Sequence, residues 1–174
     1  ILFWDESTSS FDTPTANSTS LSGASGTKGT YVAISGSQNP TLVTSGSLNS
    51  HVQGDSKSFG VTRTSTSATT EQYRGWNLIY NPFQARLDWD QVIGNAFNAA
   101  IIEDQYAIYD SQSRQFVRYS KTNSDAEYTT SAQCIEPGQS FWVRVKSTSG
   151  GGSLTILPDY IDNDGPEAEF VRSS

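Results

Sequence analysis

The stretch EPGQSFWVRVKS, residues 136–147, decides the fold. Pro137 and Gly138 stand at the two central positions of a four-residue turn. A type II turn asks for that order, because proline presets the first φ and glycine supplies the positive second one. The residues that follow alternate. Phe141, Val143 and Val145 fall on one side of an extended strand, and Trp142, Arg144 and Lys146 fall on the other. This period of two predicts a β-strand whose first set of side chains enters the core.

Reading outward, similar short runs recur at 1–6, 31–35, 41–48, 58–64, 75–80, 106–110, 115–120 and 153–158, separated by Ser, Gly, Asn and Pro. YDSQSRQF reads as a hairpin closing between Asp110 and Gln115. No segment carries a long helical period. Many short strands between turn signals predict an all-β fold, an antiparallel β-sandwich of jelly-roll-like type with one short helical turn. The expected domain covers 1–158. The polar stretch from Ser7 to Gly29 reads as a connection, KSTSGGGS as a strand-to-strand loop, and the acidic tail 159–174 as a linker or the start of a following domain.

Composition agrees with this class. Hydrophobic residues make up 34 % and charged residues 17 % of the 174-residue chain, so Ser, Thr, Asn and Gly fill the outward positions. Twenty aromatic residues (4 Trp, 8 Tyr, 8 Phe) argue against disorder. A net charge of −7 argues against nucleic acid as a partner. The apolar runs fall far short of the ~20 residues of a membrane span. The single cysteine, Cys134, precludes an intrachain disulfide and reads as a buried inert thiol. The opening ILFWDE already looks like a strand, which suggests a piece of a longer precursor with neighbouring domains.

GWNLIYNPFQARLDWD, residues 75–90, supplies the helical turn. With Asp88 as N-cap, Gln91 is the third helical residue and completes a capping box. Leu87 and Val92 can form a hydrophobic staple, Asp90 suits the positive helix end, and Gly94-Asn95 can end the turn. The rival reading makes Asp88 and Asp90 a catalytic acid pair. Two carboxyls at i and i+2 of a helix start diverge, whereas a glycosidase needs them facing across a cleft. The capping reading is preferred, and Trp76, Leu78 and Trp89 join Phe141, Val143 and Val145 as expected core.

The same stretch resembles the "gwNLiGNPyps-ldW" motif of large secreted Bacteroidota proteins, cargo of the type nine secretion system. ILFWDESTSSF, TLVTSGSLNS, QYAIYDSQSRQFVRY and IEPGQSFWVRV are similar, in order, to further segments of that family. Tyr80 departs from the pattern, standing where the family usually has glycine, and Gln84-Ala85-Arg86 replaces a smaller turn. The resemblance implies a non-catalytic β-sandwich module at the cell surface and carries over no catalytic residues.

Other chemistry is thinly supplied. One histidine, His51, in a polar stretch cannot underwrite a catalytic triad, and one Cys with one His cannot make a zinc site. Calcium is better served, by Asp159, Asp162 and Asp164 in DYIDNDG, against the plainer reading of a solvated acidic linker. The sharpest functional expectation is a glycan platform. Trp142 and Arg144 share a face, and Tyr109, Phe116 and Arg118 can share it from the preceding hairpin. The plainer reading packs those rings in a core. The function expected is thus a non-enzymatic extracellular module of a secreted cell-surface protein, for adhesion or display. Its alternatives are a carbohydrate-binding module attached to a polysaccharide-degrading enzyme, and a fibre subunit assembling through sheet edges.

Overall fold

The computed structural model describes residues 2–6, 8, 10–12, 30–31, 56–64, 71–110, 113–129 and 133–162. Its strands in chain order are β1 (Leu2–Asp5), β2 (Ser10–Asp12), β3 (Thr30–Tyr31), β4 (Lys57–Thr62), β5 (Trp76–Tyr80), β6 (Leu87–Asp88), β7 (Ile102–Asp110), β8 (Gln115–Ser120), β9 (Cys134–Ile135), β10 (Ser140–Val145) and β11 (Gly151–Ile156). Two short helices, α1 (Trp89–Gly94) and α2 (Ala96–Ile101), sit between β6 and β7. The strand ladders are antiparallel, and the fold is all-β and sandwich-like.

A four-stranded sheet of order β5-β10-β7-β8 carries the architecture. The turn before β10 forms as the sequence predicts: Gly138 has φ +69°, and the Gln139 N–H donates to the Glu136 carbonyl at 3.1 Å. Alternation along β10 then sends Phe141, Val143 and Val145 into the main core, all three fully buried. Facing them are Phe59 and Val61 of β4 and Leu154 and Ile156 of β11, two strands that pair with each other as a separate ribbon. The helices help close the same core through Trp89, Val92 and Ile93. A third small sheet, β2-β1-β3, lies at the N-terminal end.

Two buried asparagines tie these layers together. The Asn77 side chain on β5 accepts from the Thr62 N–H at 3.1 Å and donates to the Thr62 carbonyl at 2.9 Å, joining the sheet to the ribbon. Asn98 on α2 does the same for Thr155 of β11, donating at 2.8 Å and accepting at 3.0 Å. A side-chain amide imitates a strand's backbone in both places, so the polar edge of each layer is satisfied where no ladder continues.

The sequence expectations meet several corrections. Residues 10–12 are a strand, although they lie within a stretch that reads as a polar connection. Two helices stand where one turn was expected. Gly94-Asn95 does end α1, but Asn95 caps the next helix as well, its Oδ1 accepting from the Phe97 and Asn98 N–H groups at 2.9 and 3.3 Å. Described structure continues past 158. Residues 158–160 form a 3-10 turn, Tyr160 and Ile161 are buried, and Ile161 bridges to Leu87. The expected strand at 41–48, His51 and the tail beyond 162 lie outside the described residues.

Candidate ligand-binding groove

The site grows from the second face of the four-stranded sheet. Strand registers set Trp142 opposite Leu78 on one side and Ala107 on the other, and these three make a small buried cluster separate from the main core. Trp142 is only 8 % exposed, so the face that alternation marks as polar in fact has an apolar floor. Leu78 is buried here and not in the main core, and Trp76 is only half-buried beside it.

Around that floor runs a groove of about 810 Å³. One wall is β8, where Phe116 is 52 % exposed and lies with its ring centroid 6.4 Å from that of Trp142. Arg118, two residues on, faces the same groove. Opposite stand Trp76 and the 3-10 turn Glu71–Tyr73, which contributes Gln72 and a Tyr73 that is 56 % exposed. The third side is Phe11 of β2. Of the five residues that the sequence assigns to a glycan platform, Trp142, Arg144, Phe116 and Arg118 line one groove. Tyr109 is not among the lining residues and packs edge-on against Phe116, its cross-strand partner, at 5.4 Å.

Gln105 faces the groove by ordinary alternation with Ala107. The β7–β10 register shifts between Val143 and Val145, so residues 103–105 of β7 share the space opposite Arg144. Glu103 comes within 3.6 Å of the Arg144 guanidinium. Arg144 also donates to the carbonyls of Glu71 at 2.9 Å and Arg74 at 3.2 Å, and its guanidinium lies 5.8 Å from the centre of the Trp76 ring. It therefore holds the 71–74 turn in place as a wall. Arg118 pairs with Glu127 at 3.1 Å, and Glu71 pairs with Arg63 and Arg74. Arg118 and Arg144 thus each have a carboxylate partner, and the uncharged polar groups of the lining include the amides of Gln72 and Gln105, the latter donating to Glu103 at 2.5 Å and accepting from the Tyr128 hydroxyl at 3.1 Å.

Comparison with protein-family models, curated proteins and solved structures returned no match.

The remaining candidates are placed as follows. Asp88 caps α1, its Oδ1 accepting from the Asp90 N–H at 2.8 Å and from Gln133 Nε2 at 3.1 Å. The Asp90 carboxylate accepts from the Tyr119 hydroxyl at 3.0 Å. Burial and that bond hold the Tyr119 hydroxyl well above the usual phenol range. The Gln91 side chain is exposed, so the cap rests on Asp88 and Gln133. Asp162 is an ion-pair residue: its Oδ2 lies 3.1 Å from Arg86 Nη2 and accepts from the Cys134 thiol at 3.3 Å. Cys134 is half-buried, and desolvation followed by the Asp162 contact pushes its thiol up to about 12. Asp159 is exposed on the 3-10 turn, and Asp164 lies outside the described residues. Among the described residues no three acidic, His or Cys side chains converge as a metal site, and no helix is long and apolar enough to cross a membrane.

Sequence reasoning missed Phe11, Tyr73 and Gln105. Phe11 lies in a Ser/Thr-rich stretch with no alternation to reveal it. Gln105 shares the face of Ala107 by the alternation of QYAIYD and was within reach of the sequence. Trp76 was findable, since WNLIY alternates as clearly as SFWVRV does.

Proposed function

We propose that this chain is a non-enzymatic module of a secreted cell-surface protein, and that its groove holds a glycan in the service of adhesion or display. One observation carries the reading: Phe116, Tyr73 and Trp142, with Gln72, Gln105 and Arg118, converge on one open face of a rigid sheet. Sugar rings offer apolar C–H faces to aromatic side chains and hydroxyls to amides and guanidinium groups. A groove with aromatic walls and a sparse polar lining suits that pairing. The likeness of GWNLIYNPFQARLDWD to modules of secreted Bacteroidota proteins supports the location. The charge pattern favours an uncharged sugar, because the groove's arginines are already paired and the chain carries a net charge of −7.

A glycan array followed by pull-down with insoluble polysaccharides tests this. Phe116→Ala is expected to weaken retention about five- to tenfold, a loss of roughly 1 kcal/mol or slightly more. Retention by an uncharged polymer should change little between low and high salt, since no counterions are released. Failure to retain any polymer would remove the reading.

The carbohydrate-binding module of a degrading enzyme shares this groove and differs only in its neighbours. A fibre subunit joined at sheet edges has narrower support. β8 is an edge strand, and Phe116 and Val117 are exposed on it. Its second half, however, is covered by the chain itself: the Thr129 N–H donates to the Arg118 carbonyl at 2.8 Å.

A further inference from the structure

We infer that the hairpin β1–β2 is a ligand-contacting wall of the groove, with Phe11 as a binding residue and Glu6 as the residue that positions it. The inference rests on the glycan reading of the groove. Phe11 meets Trp142 with ring centroids 6.0 Å apart and planes at 79°. Phe116 meets the same indole at 6.4 Å and the same angle. Two phenyl rings therefore stand edge-on to one tryptophan, one delivered by β2 and one by β8. Phe11 remains 39 % exposed, so part of an apolar ring faces the groove unburied. A sugar's C–H face would bury that surface and gain from it.

A hairpin of strands this short is marginal unless something anchors it. Glu6 does so. It follows β1 directly in the turn that leads to β2, and it is 3 % exposed. Its Oε1 accepts from the Gly75 N–H at 2.9 Å and the Thr64 N–H at 3.1 Å. Its Oε2 accepts from the hydroxyls of Thr64 at 2.6 Å and Thr62 at 3.2 Å. A buried carboxylate is tolerable only when satisfied in this way. The donors sit at the end of β4 and immediately before β5, the strand that brings Trp76 to the opposite wall. Gly75 is fixed in turn: its φ is +81°, and a Cβ there would lie 2.6 Å from Arg63 Nη1 and 2.8 Å from the Val145 carbonyl. Glu6 thus locks the Phe11 wall to the segment that begins the Trp76 wall.

Affinity gel electrophoresis of the whole chain in xylan, mannan, mixed-linkage glucan and polygalacturonate tests the inference. The polymer that retards the wild type most strongly serves as the probe. Phe11→Ala should weaken retardation about tenfold and Phe11→Trp should keep it, with far-UV circular dichroism unchanged in both. Glu6→Gln should weaken it as well, yet add nothing in the Phe11→Ala background, because it acts through Phe11. If Glu6→Gln unfolds the chain, Thr64→Val removes a single donor and serves instead. Wild-type retardation that Phe11→Ala leaves intact overturns the inference and spares the glycan reading. An undiminished cost of Glu6→Gln in the Phe11→Ala background overturns the role of Glu6. If none of the four polymers retards the wild type, the glycan reading falls and the inference falls with it.

Discussion

Asn81 does more for this fold than any charged residue of its segment. Its side-chain amide donates to the carbonyls of Ala85 at 2.8 Å, Ile135 at 3.0 Å and Glu136 at 3.1 Å, while its Oδ1 accepts from the Phe83 N–H at 3.0 Å. Asn81→Ala leaves those groups unpaired in a buried corner and should cost about 3 kcal/mol, read from urea unfolding. Glu136 shows the opposite situation. Its Oε1 is buried with no hydrogen-bond partner among the described residues, and burial raises its carboxyl above the usual range even though Arg86 pulls it down. The folded state therefore favours the protonated acid, and the charged form is a cost that appears as pH rises past the ordinary carboxylate value. Glu136→Gln should raise stability at pH 7, and the gain should vanish near pH 3, where folded and unfolded chains are both protonated. Thermal melts at the two pH values measure this. Neither role was legible in the sequence. Asn81-Pro82 reads as a turn, but two of the carbonyls its amide reaches, those of Ile135 and Glu136, lie more than fifty residues away. Glu136 reads only as the first residue of EPGQ.

At the scale of elements, strands were legible wherever a period of two met a turn signal. β8 and β10 begin at Gln115 and Ser140, where the sequence puts them, and the hairpin between Asp110 and Gln115 closes in that register. Short elements without a period escaped: β6 and β9 hold two residues each, and their pairing is a tertiary event. The N-cap of α1 was legible because capping chemistry is local. Asp88→Ala removes the acceptor for the Asp90 N–H and the partner of Gln133, so it should cost about 1 kcal/mol and lower the melting midpoint by about 3 °C. A shift larger than about 3 kcal/mol would mean that Asp88 carries more than a cap. The bulge in β7 illustrates the limit of pattern reading. Beside it the Asp104 carbonyl accepts from the Lys121 N–H at 3.4 Å and from the Trp89 indole N–H at 2.8 Å, which satisfies the polar atom of a fully buried tryptophan. Alternation cannot forecast a place where alternation fails.

Across the whole molecule, the layers follow from one fact: the inward residues of β5, β7, β8 and β10 need a cover, and no single element supplies it. The β4–β11 ribbon and the two helices share that task, while on the outer face Leu78, Ala107 and Trp142 form the buried cluster among the described residues. The candidate groove was partly legible, since period two put Trp142 with Arg144 and Phe116 with Arg118. That these pairs belong to one face required the β7–β8 and β7–β10 registers. The third wall needed a hairpin from the other end of the chain. The ribbon has a consequence for biosynthesis. Ser58 meets Thr155 across a sequence separation of 97 residues, in a ladder that runs from Lys57↔Ile156 to Thr62↔Gly151. A polypeptide emerging from the ribosome N-terminus first keeps Phe59 and Val61 without their β11 partner until residue 156 has followed. Products truncated before β11 would leave Phe59 and Val61 without that partner strand and open to proteases.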